Sequence, residues 1–106
     1  MKKIVLEYFS KFSKKDCEIF EFMHSDVRLC DWNIDVSGIK KVKAEYENIW
    51  NNLNEIEIAI LNIDIIDKTA YCTIQISANE LNESLNVIDV ITIKDSLIES
   101  VFAYRR

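Results

Sequence analysis

The chain has 106 residues, of which 49% are hydrophobic and 29% charged, and its formal net charge is −5. That length suits one domain spanning 1–106 with a real core, and the composition is that of an ordinary globular protein. The acidic balance argues against a nucleic-acid binder, which needs a basic stripe for the phosphate backbone. Lys2-Lys3, Lys14-Lys15 and Lys40-Lys41 are short scattered pairs that read as solvated helix faces.

Residues 2 to 14 carry Ile4, Tyr8 and Phe12 at four-residue spacing with Val5 and Phe9 beside them, which predicts an amphipathic helix. Asp16 then reads as the N-cap of a short second helix holding Ile19, Phe20, Phe22 and Met23. A brief strand follows in which Val27, Leu29 and Asp31 share a face, and Trp32 to Ser37 reads as a loop. Gly38 opens a third helix whose apolar positions are Ile39, Val42, Tyr46, Ile49, Trp50 and Leu53.

From Glu55 the period becomes two. Ile56, Ile58 and Ile60 alternate with polar or small residues, then the phase flips so that Leu61, Ile63 and Ile65 face inward. A flip inside one strand predicts a β-bulge, and bulges bend sheets. Asp67-Lys68, the segment 79–83 and Asp95-Ser96 punctuate three more strands, about 70–78, 85–93 and 97–105. Strands joined by short turns form an antiparallel meander. The predicted fold class is therefore α+β, with three N-terminal helices on a curved antiparallel sheet enclosing one pocket.

No run approaches the roughly 18 apolar residues of a membrane helix, and Glu7 interrupts the opening apolar stretch, so neither a membrane span nor a signal peptide is expected. Cys17, Cys30 and Cys72 are odd in number and far apart, with one histidine, His24, to join them. They read as free thiols in the cytoplasm, and no metal site is expected.

Asp89 is the position with the strongest chemical signal. Its row reads Leu85, Val87, Asp89, Ile91, Ile93, and residues two apart share a strand face. A carboxyl in such a row is paired, protonated or functional, because burying an unpaired charge costs several kcal/mol or more. A structural partner such as Arg105 is the competing explanation. Asp31 ends the row of Val27 and Leu29 at a natural pocket rim, where the alternative is a turn aspartate bonded to nearby backbone. Tyr8 and Tyr46 lie on apolar helix faces and read equally as core. Trp32 and Trp50 are candidates to line a ligand cavity, while His24 reads as a cation near a helix C-terminus.

The order of these pieces resembles the nuclear-transport-factor-2-like (NTF2-like) superfamily, including its SnoaL-like polyketide cyclases and ketosteroid isomerases. The resemblance rests on Tyr8-Phe9-Ser10 with Asp16, the strand from Asp26 to Trp32, Ser37-Gly38-Ile39, the strand from Val87 to Ile91, and Leu97 to Val101. It implies a cone-shaped, cystatin-like roll over the whole chain, usually dimeric through its sheet. Similarity to the ketosteroid isomerases implies an oxyanion-hole tyrosine at Tyr8, a base at Asp31, a protonated donor at Asp89 and a supporting tyrosine at Tyr46. Trp32 stands where those enzymes typically have proline, and the segment from Asp31 to Gly38 is shorter than theirs.

The expected function is cofactor-free general acid–base chemistry on a small apolar or carbonyl-containing ligand, of the isomerase or cyclase type. Tyr8, Asp31 and Asp89 would be catalytic, with Trp32, Tyr46 and Trp50 lining the pocket. The alternative is a non-catalytic dimeric module for ligand binding or assembly. It draws on a second apolar sheet face, where Ile88 and Val90 lie opposite the Asp89 row.

Overall fold

The computed structural model describes residues 1–106. Its elements in chain order are α1 (Lys2–Ser13), a 3-10 helix (Cys17–Phe22), β1 (Met23–Cys30), β2 (Asp35–Ser37), α2 (Ile39–Asn52), β3 (Glu57–Ile66), β4 (Thr69–Ser77), β5 (Leu85–Lys94) and β6 (Leu97–Arg105). The six strands form one sheet in the order β2-β1-β6-β5-β4-β3. No helix is long and apolar enough to cross a membrane.

The helix α1 buries Val5, Tyr8 and Phe9 on one stripe, as its spacing predicts, and ends where Lys15 takes φ 57°. The Lys15 ammonium then donates to the carbonyl oxygens of Trp50, at 2.7 Å, and Leu53. Those carbonyls belong to the C-terminal end of α2, where helical acceptors lack intrahelical partners and a cation offsets the dipole. One lysine thereby ties the end of α1 to the end of α2. At its other end α2 starts from Gly38, whose φ of 96° suits glycine, while the Gly38 N–H donates to the Val27 carbonyl at 2.8 Å.

Asp16 caps the second helix by accepting the Glu18 N–H at 2.9 Å. That helix is a six-residue 3-10 segment, so the three predicted helices are two α-helices with one 3-10 helix between them. The segment is too short for more, because Met23 already begins β1. The predicted loop from Trp32 to Ser37 contains β2, which pairs antiparallel with β1 from Arg28↔Ser37 to Cys30↔Asp35. Arg28 reinforces this pairing by donating to both carboxylate oxygens of Asp35, at 2.9 and 2.7 Å.

From β3 to β6 the strands form the predicted antiparallel meander. The sheet as a whole departs from the prediction, because β1 runs parallel to β6. The hairpin between β5 and β6 turns through Asp95 and Ser96, both at positive φ, the geometry a two-residue hairpin favours.

The bulge falls where the hydrophobic phase flips. Ile60 pairs with Ile74 and Asn62 with Thr73, so Leu61 is the extra residue. Leu61 is consequently not inward as predicted but 58% exposed. Ile63 and Ile65 do pair with the buried Cys72 and Ala70, although Ile65 is still 39% exposed near the sheet edge. The core lies between the helices and the inner sheet face, where Val27, Ile74, Ile91 and Ile98 are almost fully buried.

Candidate functional site

A cavity of about 270 Å³ lies between the helices and the inner face of the sheet. Its wall is largely apolar, and Tyr8, Tyr46, Asp31, Asn33 and Asp89 supply polar groups. A mostly apolar cavity with a few convergent polar atoms has the character of a small-molecule site. No three His, Cys, Asp or Glu side chains gather in a way that would hold a metal ion.

Asp89 reaches this cavity from the middle of β5. Its cross-strand neighbours are Cys72 on β4 and Ala103 on β6, both small, which leaves space beside the carboxyl. Asp89 is buried and forms neither a salt bridge nor a side-chain hydrogen bond. In particular, Arg105 does not pair with it. Burial, helped by the negative charge of Asp31, pushes its pKa from 3.8 up to about 7. A carboxyl so placed is mostly protonated below about pH 7, where it can donate a hydrogen bond.

Tyr8 enters from α1 and Tyr46 from α2, and their hydroxyls are hydrogen-bonded to each other. Burial raises both phenols above their ordinary value of 10. The nearby charges of Tyr46 and Asp89 push Tyr8 further up, whereas the Tyr8 hydrogen bond partly opposes the rise at Tyr46. Neutral phenols are thus maintained as donors. Phe12 packs edge-on against Tyr46 at 5.3 Å between ring centroids, and Phe9 packs edge-on against Tyr8 at 5.2 Å. These contacts hold the two rings in place.

Asp31 follows the last residue of β1. One carboxylate oxygen, Oδ1, accepts the N–H groups of Asn33 at 2.7 Å and Ile34 at 2.9 Å. The competing turn role is therefore real for one oxygen. Oδ2 makes no hydrogen bond, and Asp31 lines the cavity, so the same turn that fixes the carboxylate leaves one oxygen free.

Trp32 lines the cavity and is 42% exposed, which marks the mouth. Trp50, predicted as a lining residue, is not one. It is buried behind the wall, with ring centroids 6.0 Å from Phe12, 5.9 Å from Phe20 and 6.2 Å from Tyr46. Its indole N–H is buried without a partner. His24 is the second residue of β1, where its Nδ1 accepts the Asp26 N–H at 3.2 Å, and it takes no part in the cavity. Asn33 is a lining residue that sequence reading missed, since nothing distinguishes it from a turn asparagine.

No family model and no curated protein matches the chain. Solved structures do match over nearly its full length. A protein provisionally named a polyketide cyclase, from Sinorhizobium meliloti, superposes with a TM-score of 0.87 at 18% identity, covering 95% of this chain and 93% of that one. One provisionally named a ketosteroid isomerase, from Kribbella flavida, gives 0.85 at 12%, covering 98% and 76%. An NTF2-like protein of unknown function from Cytophaga hutchinsonii gives 0.84 at 9%, covering 99% and 88%. At such identities the similarity concerns architecture and leaves the reaction to be argued from the site. The chain has the NTF2-like fold, an α+β arrangement of helices on a curved six-stranded sheet.

Proposed function

We propose that this chain is an enzyme that binds a small apolar carbonyl compound in the cavity of its cone-shaped domain and moves a proton on the carbon beside the carbonyl, without a cofactor. The observation that carries this reading is Asp89, a buried carboxyl without cation or hydrogen bond, facing a cavity it shares with Tyr8 and Asp31. Perturbed carboxyls of this kind are characteristic of functional sites, and two carboxyls in unlike surroundings divide naturally into base and acid.

In the proposed reaction Oδ2 of Asp31 takes the proton from the α-carbon, and the electron pair moves onto the carbonyl oxygen as an enolate. Tyr8 and neutral Asp89 donate hydrogen bonds to that oxygen, while Tyr46 donates to Tyr8 and strengthens it as a donor. Where the ligand carries a β,γ double bond the enolate is a dienolate, and Asp31 returns the proton to its γ-carbon as the double bond moves to the α,β position, which is isomerisation. In the alternative outcome the enolate carbon attacks a second carbonyl of the same ligand, and the alkoxide so formed takes the proton back from Asp31, which is cyclisation. The chain acts, in this reading, in the cytoplasm, consistent with its three free thiols. A second copy packs on its outer sheet face.

The test is α-hydrogen exchange of 2-tetralone in D₂O, followed by proton NMR. The wild-type chain should accelerate exchange, Asp31→Asn should abolish the acceleration, and Asp89→Ala should lower it by roughly 10²–10³, the usual loss for one oxyanion donor. Binding of 2-tetralone with exchange at the buffer rate would make the protein a non-catalytic binding module.

A further inference from the structure

The cavity has two acids in its wall and no lysine, arginine or histidine. The cation that stands over its mouth is Arg105. On β6 the inward row runs Val101, Ala103, Arg105, and the first two line the cavity. Arg105 pairs in register with Val87, another lining residue, so its side chain leaves the sheet on the cavity side at the rim. There its guanidinium carbon lies 5.4 Å from the centroid of the Trp32 ring. Trp32 is the exposed residue of the mouth.

The guanidinium is held on that ring but has no acidic partner, since the ion pairs of the chain involve Lys11 and Arg28. It also makes no hydrogen bond through its own N–H groups. An arginine resting on an aromatic face keeps its donor edge available, and that planar fork matches a carboxylate.

From this arrangement we infer that the ligand is an apolar molecule carrying a carboxylate at the end that stays at the mouth, and that Arg105 is the residue that selects it. The apolar body fills the cavity toward Asp89, and the carboxylate is bound by the Arg105 fork beside Trp32. The inference rests on the cavity being the ligand site, as proposed above, but not on its catalysing anything. It also accounts for how an anion enters a site whose other charged groups repel it.

The experiment measures binding by calorimetry with two probes of one shape, 2-naphthoate and neutral 2-naphthamide. The wild-type chain should bind the carboxylate about tenfold more tightly, in keeping with a charge-assisted hydrogen-bonded pair. Arg105→Gln should remove that preference and leave the amide unchanged, and Arg105→Lys should restore part of it. The preference should shrink as salt is added, because the site is solvent-exposed. Equal binding of the two probes by the wild type overturns the inference while leaving the pocket intact. So does an Arg105→Gln variant that loses both probes alike. Failure of both probes to bind overturns the ligand-site reading and this inference together.

Discussion

Asp89 lies in the fold between Cys72 and Ala103 with nothing to compensate a negative charge, and this makes stability depend on pH in a definite direction. Between 3.8 and about 7 the folded chain holds a proton that the unfolded chain releases. The stabilisation linked to this proton is complete below the unfolded value and is lost as pH rises through about 7. Some three pH units at 1.36 kcal/mol each set the effect at no more than about 4 kcal/mol. Asp89→Asn keeps the shape and cannot ionise. It should be more stable than the wild type by about 2–4 kcal/mol at pH 8, with the gap closing by pH 4. Urea midpoints at the two pH values measure this, and a gap of equal size at both would contradict a carboxyl buried as neutral acid. In the proposed acid role, such a cost at a cavity wall is the stability given up for activity. Asp89 was legible because one carboxylate interrupts a row of Leu85, Val87, Ile91 and Ile93. Tyr46 was less so, because an apolar helix face reads as packing whether or not its hydroxyl has a partner. The role of Arg105 at the mouth was hidden, since alternation gives its face but not what stands opposite.

The elements show the same division between local pattern and long-range placement. Period-3.6 stripes gave α1 and α2, and the inversion around Ile60-Leu61 gave the bulge, because both are properties of neighbouring residues. The three-residue β2 has too few positions to show a period. The parallel pairing of β1 with β6 joins residues about seventy apart, as in Leu29↔Val101, which no local rule contains. The bulge offers a clean test of how the sheet shapes the cavity. Deleting Leu61 brings Ile60 next to Asn62, and their partners Ile74 and Thr73 are already adjacent, so every side chain keeps its face. The deletion variant should therefore fold with the same register and a straighter β3. Ile58, which lines the cavity at the other side of the bulge, then shifts, and affinity for 2-naphthoate should fall about tenfold or more. Amide exchange on β3 and β4 checks the register, and titration checks the affinity. Unchanged affinity with an intact register would show that the cavity does not depend on this bend.

For the molecule as a whole, the two faces of the sheet differ in what they present. The inner face carries the core and the cavity, while the outer face presents Tyr71, Val90 and Phe102 in one cross-strand row and Thr73, Ile88 and Tyr104 in the next. Tyr71 is 41% and Tyr104 55% exposed, and Arg28 stacks 4.9 Å from the centroid of Phe102. Aromatic residues with an arginine among them are the usual anchors of a protein interface, and a face that packs on its own copy makes a two-fold dimer. Each copy carries a net charge of −5, so association has to overcome repulsion that salt weakens. The chain should therefore sediment as two copies of 12.4 kDa at tens of micromolar, more completely at 0.5 M than at 0.02 M salt. Tyr104→Glu places a further charge in the contact and should give a folded monomer, since exposed substitutions cost the fold little. A wild-type monomer at every salt concentration would rule out this interface. Because the cavity opens on the opposite face, the Tyr104→Glu monomer should still bind 2-naphthoate with unchanged affinity. A monomer that lost the ligand would mean that the partner copy holds the sheet in its curved form, and the dimer would then belong to the site.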